Sequence, residues 1–479
     1  MRTTLMTKKM TRFSLTVSTV FLSVAGLSAQ THPASPLPDA PPVEVALNTS
    51  AAVSLAQSVP PSSGTPTSAG QHPRLTRQEA EQMAIKNNPR ISVGRLLALA
   101  QHQVVREARS AELPTLNGSM TAMTGEEASR ISAGTLTSSR ILPHAGAGAD
   151  FMQLVTDFGR TTNLVASAKL QEKAQNASAL ATTEDIVLAT DQAFYNALQA
   201  QALLKVAQQN VTTRQTTDTQ VNQLTKNNLK STLDLSFADV NLSQAKLLLL
   251  DAQNNADSTM AALDAVLGLD HQVTYELVDE SSPLQPPPPD VDRLIQLGWQ
   301  QRPDLQSLNF SQQSAVKFSH AQRDQMFPTI SIEGTAGSVP VRTDQYYTAN
   351  WWGGIGVNMN IPIFNGFLYS AQAKEASIRA QAASEQARNL RDQIARDVRT
   401  AWLAANTAYQ RVAVSEQMLK QANMALSLAQ TRYQMGLSSI VELSQAEYQQ
   451  TDAAIGNTNA QYQYKLALAA LNYQIGATP

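Results

Sequence analysis

Two acids occupy matching places in two similar stretches, and they are the first candidates for chemistry. NLKSTLDLSFAD covers residues 228 to 239 and GLSSIVELSQAE covers residues 436 to 447, so Asp234 and Glu442 stand 208 positions apart. An acid in the first turn of a helix is favoured by the helix dipole, which is the simplest reading of both. Elsewhere the reactive residue types do not assemble. His32, His72, His102, His144, His271 and His320 lack any metal-ligand spacing. The run GGIGVN at residues 353 to 358 has the wrong spacing for a phosphate loop and reads as a strand of small residues. Glu126 and Glu127 fall between two expected strands, the place of an exposed loop. Of 13 methionines, Met6 and Met10 lie in the first dozen residues and the others do not cluster. No nucleophile elbow occurs, so the chain reads as having neither catalytic centre nor cofactor nor metal.

The elements that must position the two acids follow from composition and pattern. Residues 1–29 read as a secretory signal: Arg2, Lys8, Lys9 and Arg12 precede an apolar run from Phe13 to Leu27, shorter than a spanning helix needs. Removing these four bases takes the formal charge from −2 to −6, which gives no nucleic-acid footprint. There is no cysteine, hence no disulfide framework and no lipid anchor after the signal. Residues 30–73 are rich in Pro, Ser, Thr and Ala and read as a disordered tail. The remaining chain contains no long apolar run, so entry into a membrane requires β-strands.

Repeat matching extends the opening pair to two whole units, residues 74–268 and 291–479, separated by a Pro-rich connector at 269–290 that contains PPPP. Pro89 matches Pro303 and Pro114 matches Pro328 at an offset of 214, and from Asp157 and Asn365 onward the offset is 208. Each unit carries a pair of alternating segments. Leu116, Gly118, Met120 and Ala122 alternate with Asn117, Ser119 and Thr121, and a noisier partner lies near residues 143 to 156. In the second unit Ile330 and Ile332 alternate with Ser331 and Glu333, and Ile355, Val357, Met359 and Ile361 with Gly356, Asn358 and Asn360. Strands of about ten residues suit a tilted bilayer crossing, and Trp351 and Trp352 suit an interfacial girdle.

After each strand pair comes a long helix. Apolar or small residues from Ala373 to Tyr433 recur in steps of three and four with one stutter at Leu390, Ile394 and Val398, a coiled-coil seam. A helix from Leu368 to Gln434 is roughly 100 Å long at 1.5 Å per residue. Gly436 sits where a left-handed residue ends that helix, and Asn228 takes its place in the first unit. Each unit is therefore a strand pair feeding an antiparallel helical hairpin whose tip is the duplicated stretch.

These residues resemble the TolC family of outer-membrane efflux proteins. The likeness rests on the duplication, the junctions VTDFGR (155–160) and IPIFNGF (361–367), the NNP and QRP openings and the hairpin tips. It implies an α+β membrane protein built of two tandem repeats, each a strand pair plus a long helical hairpin. Three chains would share a twelve-stranded β-barrel and an α-helical periplasmic tunnel. It also implies a homotrimeric exit duct that works with a periplasmic adaptor protein and an inner-membrane pump and binds no nucleic acid. Junction residues are then Asp157, Phe158 and Gly159 in one repeat and Phe364, Asn365 and Gly366 in the other. The family's tunnel constriction maps onto Asp234, Glu442, Gln445 and Tyr433, with tip turns at Asn228 and Gly436. The family pattern has a second acid at Gln445 and a base at Ser438, so a different latch is expected here. A signal and a long hairpin also fit the alternative reading, a periplasmic adaptor, but adaptors carry one hairpin flanked by small β domains.

Overall fold

The computed structural model describes residues 73–123, 130–131, 139–140, 144–269, 275–279, 283–338, 341–343, 346–348 and 351–477. The expected signal, nearly all of the expected tail, and Glu126 and Glu127 lie outside these residues. Element order is β1 (Arg74–Leu75), α1 (Arg77–Asn87), α2 (Pro89–Ser110), β2 (Thr115–Met123), β3 (Arg130–Ile131), β4 (Ser139–Arg140), β5 (His144–Thr156), α3 (Arg160–Lys226) and α4 (Thr232–Leu267). There follow β6 (Glu276–Leu277), α5 (Val291–Gln301), α6 (Pro303–Asp324), β7 (Thr329–Ser338), β8 (Val341–Thr343), β9 (Tyr346–Thr348), β10 (Trp351–Asn360), α7 (Leu368–Gln434) and α8 (Ile440–Gln474). Helices of 11, 22, 67 and 36 residues in the first half recur as 11, 22, 67 and 35 in the second. None of the described helices is long and apolar enough to cross a membrane.

The seam read from sequence is the packed face of α7: Ala376, Ala380, Ala387, Ile394, Val398, Ala405, Val412, Ala429 and Tyr433 are buried. Alanine at these positions lets α7 and α8 approach closely, while the outward face keeps Arg, Glu and Gln in water. Ahead of each strand pair, the stretch between the two prolines of each repeat is the 22-residue helix α2 or α6. Pro89 and Pro303 each open that helix in the first turn, where a missing N–H is harmless.

Four helix ends meet in two splices. Gly268 ends α4 with φ +72 and Gly476 follows α8 with φ +70. A Cβ on Gly268 would stand 3.0 Å from the Asn87 carbonyl oxygen, and one on Gly476 would stand 3.1 Å from the Arg302 nitrogen. The end of α4 thus abuts the start of α2, and the end of α8 abuts the start of α6. At the first splice the Asn88 carboxamide serves both helices: its oxygen accepts from Arg90 N at 3.0 Å and its nitrogen donates to the Val266 carbonyl at 3.1 Å. At the second, Arg302 donates to Gln474 Oε1 at 2.6 Å and to Asp304 Oδ2 at 2.6 Å. Each short helix pair therefore extends a returning hairpin helix alongside α3 or α7.

The main strands form an antiparallel sheet in the order β2–β5–β7–β10, with β8 and β9 continuing from the end of β5. Neither β2 nor β10 has a partner on its outer side among the described residues. Register places Leu116, Phe151, Ile332, Ile355 and Val357 on one face and Asn117, Asp150, Glu333, Thr335 and Asn358 on the other. Thr335 donates to Asp150 and Asn358 to Glu333, both at 2.9 Å, on the polar face. Part of the connector is a strand: β6 pairs in parallel with β1. Trp402 and Tyr464 hold its proline-rich part by donating to the carbonyls of Pro288 and Gln285.

Candidate functional site

Both hairpin tips are built by the same backbone device. Asn228 takes φ +56 and Gly436 φ +74, as expected for a left-handed residue just past a helix end. The next amide reaches back five residues: Leu229 N donates to the Leu224 carbonyl and Leu437 N to the Arg432 carbonyl, both at 2.8 Å. Ser231 then caps α4 by accepting from Leu233 N at 3.1 Å, and Ser439 caps α8 by accepting from Glu442 N at 3.4 Å. Asp234 and Glu442 consequently fall in the first turns of α4 and α8, as the sequence reading placed them.

Around the tips the hairpins share a small core of Val221, Ala238, Ala429, Tyr433, Ile440, Leu443 and Ala446. Tyr433 is its largest member. Its hydroxyl is buried without a hydrogen-bond partner, and burial followed by the Asp234 carboxylate pushes the phenol up from its ordinary value. Asp234 and Tyr433, named separately from sequence, are thus brought together across the two hairpins. Lys230 lies over the Tyr433 ring with Nζ 4.4 Å from the centroid. Ser438 Oγ is buried without a partner, while Gln445 faces solvent.

Two ion pairs were not anticipated. Arg432 Nε lies 3.1 Å from Glu442 Oε1, an exposed base paired with one candidate acid. Deeper, Arg214 on α3 pairs with Glu447 on α8, and Thr217 Oγ1 donates to the same carboxylate at 2.9 Å. Burial pushes the Glu447 carboxyl up, opposed by Arg214 and Thr217. Glu447 ends the duplicated stretch itself, so its type was visible; its partner, 233 positions away, was not. Beside these tips an open groove of about 320 Å³ is lined by Thr212, Thr216, Thr217, Gln430 and Tyr433, all uncharged. Among the described residues no group of three His, Cys, Asp or Glu could hold a metal ion.

At the opposite end of the hairpins the junction residues form strained turns. Phe158 (φ +54) and Gly159 (φ +108) are consecutive left-handed residues, and Gly366 (φ +63) and Phe367 (φ +65) repeat the turn with the residue types exchanged. Asp157 holds the first turn by accepting from Thr161 N at 2.7 Å. Phe364 and Phe367 meet edge to face at 5.6 Å, both exposed.

A family model described as outer membrane efflux protein matches the chain twice, over residues 81–269 and 294–477, one match for each run of elements. The chain belongs to the outer membrane efflux protein family. It is a protein of the outer membrane, in a family of channels and not of enzymes. The outer membrane protein TolC of Escherichia coli (strain K12) is 23% identical over 329 residues, 64% of this chain and 66% of TolC, just under two thirds of its length. TolC of Vibrio cholerae serotype O1 is 24% identical over 411 residues, 83% of this chain and 90% of that protein. The solved outer-membrane channel OprN shares the fold with a TM-score of 0.73 at 17% identity, covering 84% of this chain and 90% of that channel. In this efflux-family chain the acid at Glu442 carries its own counter-charge, Arg432, on the preceding helix.

Proposed function

We propose that the protein is one third of a trimeric exit duct, through which an inner-membrane pump, joined by a periplasmic adaptor, passes solutes or polypeptides outward. Transport through it is passive, with the energy supplied by the pump. The observation that carries this reading is the sheet: four main strands whose two long edges are unpaired among the described residues, with the two faces segregated into apolar and polar. A lone sheet of this kind leaves two rows of unsatisfied backbone groups, which a bilayer does not tolerate. Three copies pairing β10 with the next β2 would close twelve strands, with Ile332 and Val357 toward lipid and Glu333 and Asn358 toward a lumen. Ten residues at about 3.3 Å each, tilted by about 40°, span about 25 Å, the height of an apolar band. Trp351 stands at one end of β10 and Phe364 and Phe367 lie beyond the other, as interfacial aromatic rings would.

Both hairpins also leave apolar stripes uncovered, Leu233, Phe237, Val240 and Leu247 on α4 and Val414, Met418 and Leu428 on α7, which neighbouring chains would bury. The tips would then meet at a constriction in which Asp234, Glu442, Gln445 and Tyr433 take part. The test is outer-membrane extraction followed by gel mobility at graded temperatures: a heat-resistant trimer is expected, and a soluble periplasmic monomer overturns the reading. For the constriction, planar-bilayer conductance of the Asp234→Ala/Glu442→Ala protein should lose cation selectivity; unchanged selectivity removes these acids from the site.

A further inference from the structure

Register divides the two adjacent tryptophans of β10. Neighbouring residues of a strand face opposite sides, so Trp351 and Trp352 cannot both belong to an interfacial girdle. Trp351 shares the apolar face with Ile355 and Val357, whereas Trp352 shares the polar face with Asn358. One row of that polar face runs across all four main strands as Ser119, Gly148, Gly337 and Trp352. The next row toward the helices is Asn117, Asp150, Thr335 and Gly354.

The two glycines leave the middle of the Trp352 row bare. A Cβ on Gly337 would stand 2.7 Å from the Ala147 carbonyl oxygen, and one on Gly148 would stand 3.2 Å from the Ala336 carbonyl oxygen. The close approach of β5 and β7 therefore demands glycine at both places, and a floor without side chains is the consequence. Over it lies an open hollow of about 250 Å³ lined by Ser119, Thr121, Gly148, Asp150, Thr335 and Trp352. Trp352 is 48% exposed and Asp150 is exposed as well, so a solute in the hollow can reach both. The Thr335 hydroxyl, donating to Asp150 Oδ1 at 2.9 Å, steadies the carboxylate.

The residue types of this wall select a class of ligand. The four main strands contain no lysine or arginine; their charges are Asp150 and Glu333, both on the polar face, where Trp352 is the single Phe, Tyr or Trp. An indole attracts cations over its ring face, more strongly than tyrosine or phenylalanine does. Trp352 and Asp150 are two strands and two residues apart in register. At about 4.8 Å between strands and about 3.3 Å per residue, that is about 12 Å between their backbones. A flat ring system with a fixed positive charge bridges such a gap, stacking on the indole while its charge faces the carboxylate. A neutral sugar would meet the ring and the hydroxyls but leave the charge unanswered. We propose that Trp352 and Asp150 form a binding station for flat aromatic cations, present once per chain on the lumen wall at the end of the barrel away from the helices. The inference rests on the trimeric duct, in which this face lines the passage.

The test is calorimetric titration of the detergent-solubilised full-length protein at low salt with N-methylquinolinium, the uncharged N-methylquinolone and maltotriose. The cation is expected to bind at least about ten-fold more tightly than the neutral ring. Trp352→Leu should weaken its binding about ten-fold, Trp352→Phe less, and Asp150→Asn about three-fold. Added salt should weaken the cation in the wild-type protein and affect Asp150→Asn less. Trp351→Leu, one residue away on the opposite face, should leave the affinity unchanged, which separates stacking on the indole from a general disturbance of β10. Equal binding of the neutral quinolone, tighter binding of maltotriose, or equal losses from Trp351→Leu and Trp352→Leu overturns the proposal. A trimer that is intact on gels yet binds no cation overturns the proposal alone, whereas a protein that forms no trimer overturns the duct and the proposal with it.

Discussion

Replacing Gly476 by alanine tests the helix splice. The residue has φ +70, and an added Cβ would lie 3.0 Å from Gln301 Cβ and 3.1 Å from the Arg302 nitrogen. A left-handed alanine costs about 1–2 kcal/mol, and forcing an extra methyl against backbone adds about 1–3 kcal/mol. Neither neighbour can yield cheaply, because Arg302 is held by Gln474 and Asp304 and is followed by Pro303, which opens α6. Gly436→Ala is the control. Its φ is +74, but nothing lies within 4 Å of the added atom, so it should lose only the conformational 1–2 kcal/mol or so. Unfolding of the detergent-solubilised protein in guanidinium, followed by helical circular dichroism, should therefore place Gly476→Ala below Gly436→Ala by about 1–3 kcal/mol. Gly268→Ala, with its Cβ 3.0 Å from the Asn87 oxygen, should behave like Gly476→Ala. Equal losses for all three would refute the idea that these glycines exist for close approach.

Other outcomes follow from the same geometry. Ser231→Ala and Ser439→Ala should each cost about 1 kcal/mol by uncapping α4 or α8, with faster hydrogen exchange at Leu233 or Glu442 respectively. Arg432→Gln removes a solvent-exposed partner, so stability should change by less than about 1 kcal/mol while the uncompensated Glu442 raises cation selectivity in bilayers. Glu447→Gln should rescue part of the loss caused by Arg214→Gln, since that single change strands a buried carboxylate at a cost of about 3–5 kcal/mol and the double change strands none; a purely additive cycle argues against the pair. Glu79 accepts from Thr76 N at 2.9 Å, which holds its carboxyl below the ordinary value. Because the folded state binds that proton more weakly, the cap is complete above the ordinary glutamate range and is lost as pH falls through the lowered value; exchange of the Thr76 amide should quicken there and stay flat in Glu79→Gln.

Much of this architecture is written locally. The three-and-four spacing of alanines and leucines specifies α7 to its final residue, and the left-handed residues Asn228 and Gly436 end the first helix of each hairpin where expected. Alternation alone separates the lipid-type and lumen-type faces of β2, β7 and β10, because side chains on a strand change face at every residue. Such signals survive in one dimension because helix period, strand period and turn chemistry depend on residues within a few positions. The pattern of β5 is diluted by glycine and alanine, and it is legible as a strand mainly because its repeat partner demands one.

What the sequence left undetermined is which of these elements become neighbours and what faces what across the contacts. That Gly268 and Gly476 accept the backbone of Asn87 and of Gln301 and Arg302 is invisible until the helix ends are brought together. The Phe158 and Phe367 turns keep side chains in a region that only surrounding structure can enforce. Glu442 reads as an acid in the first turn of a helix, yet Arg432 reaches it across the tip; Glu447 is only the last letter of the duplicated stretch in the sequence, yet it lies buried against Arg214. A charge shows its type in the sequence, but its burial and its partner depend on the packing of segments hundreds of residues apart, so only the tertiary structure could decide between a solvated acid and a pinned one.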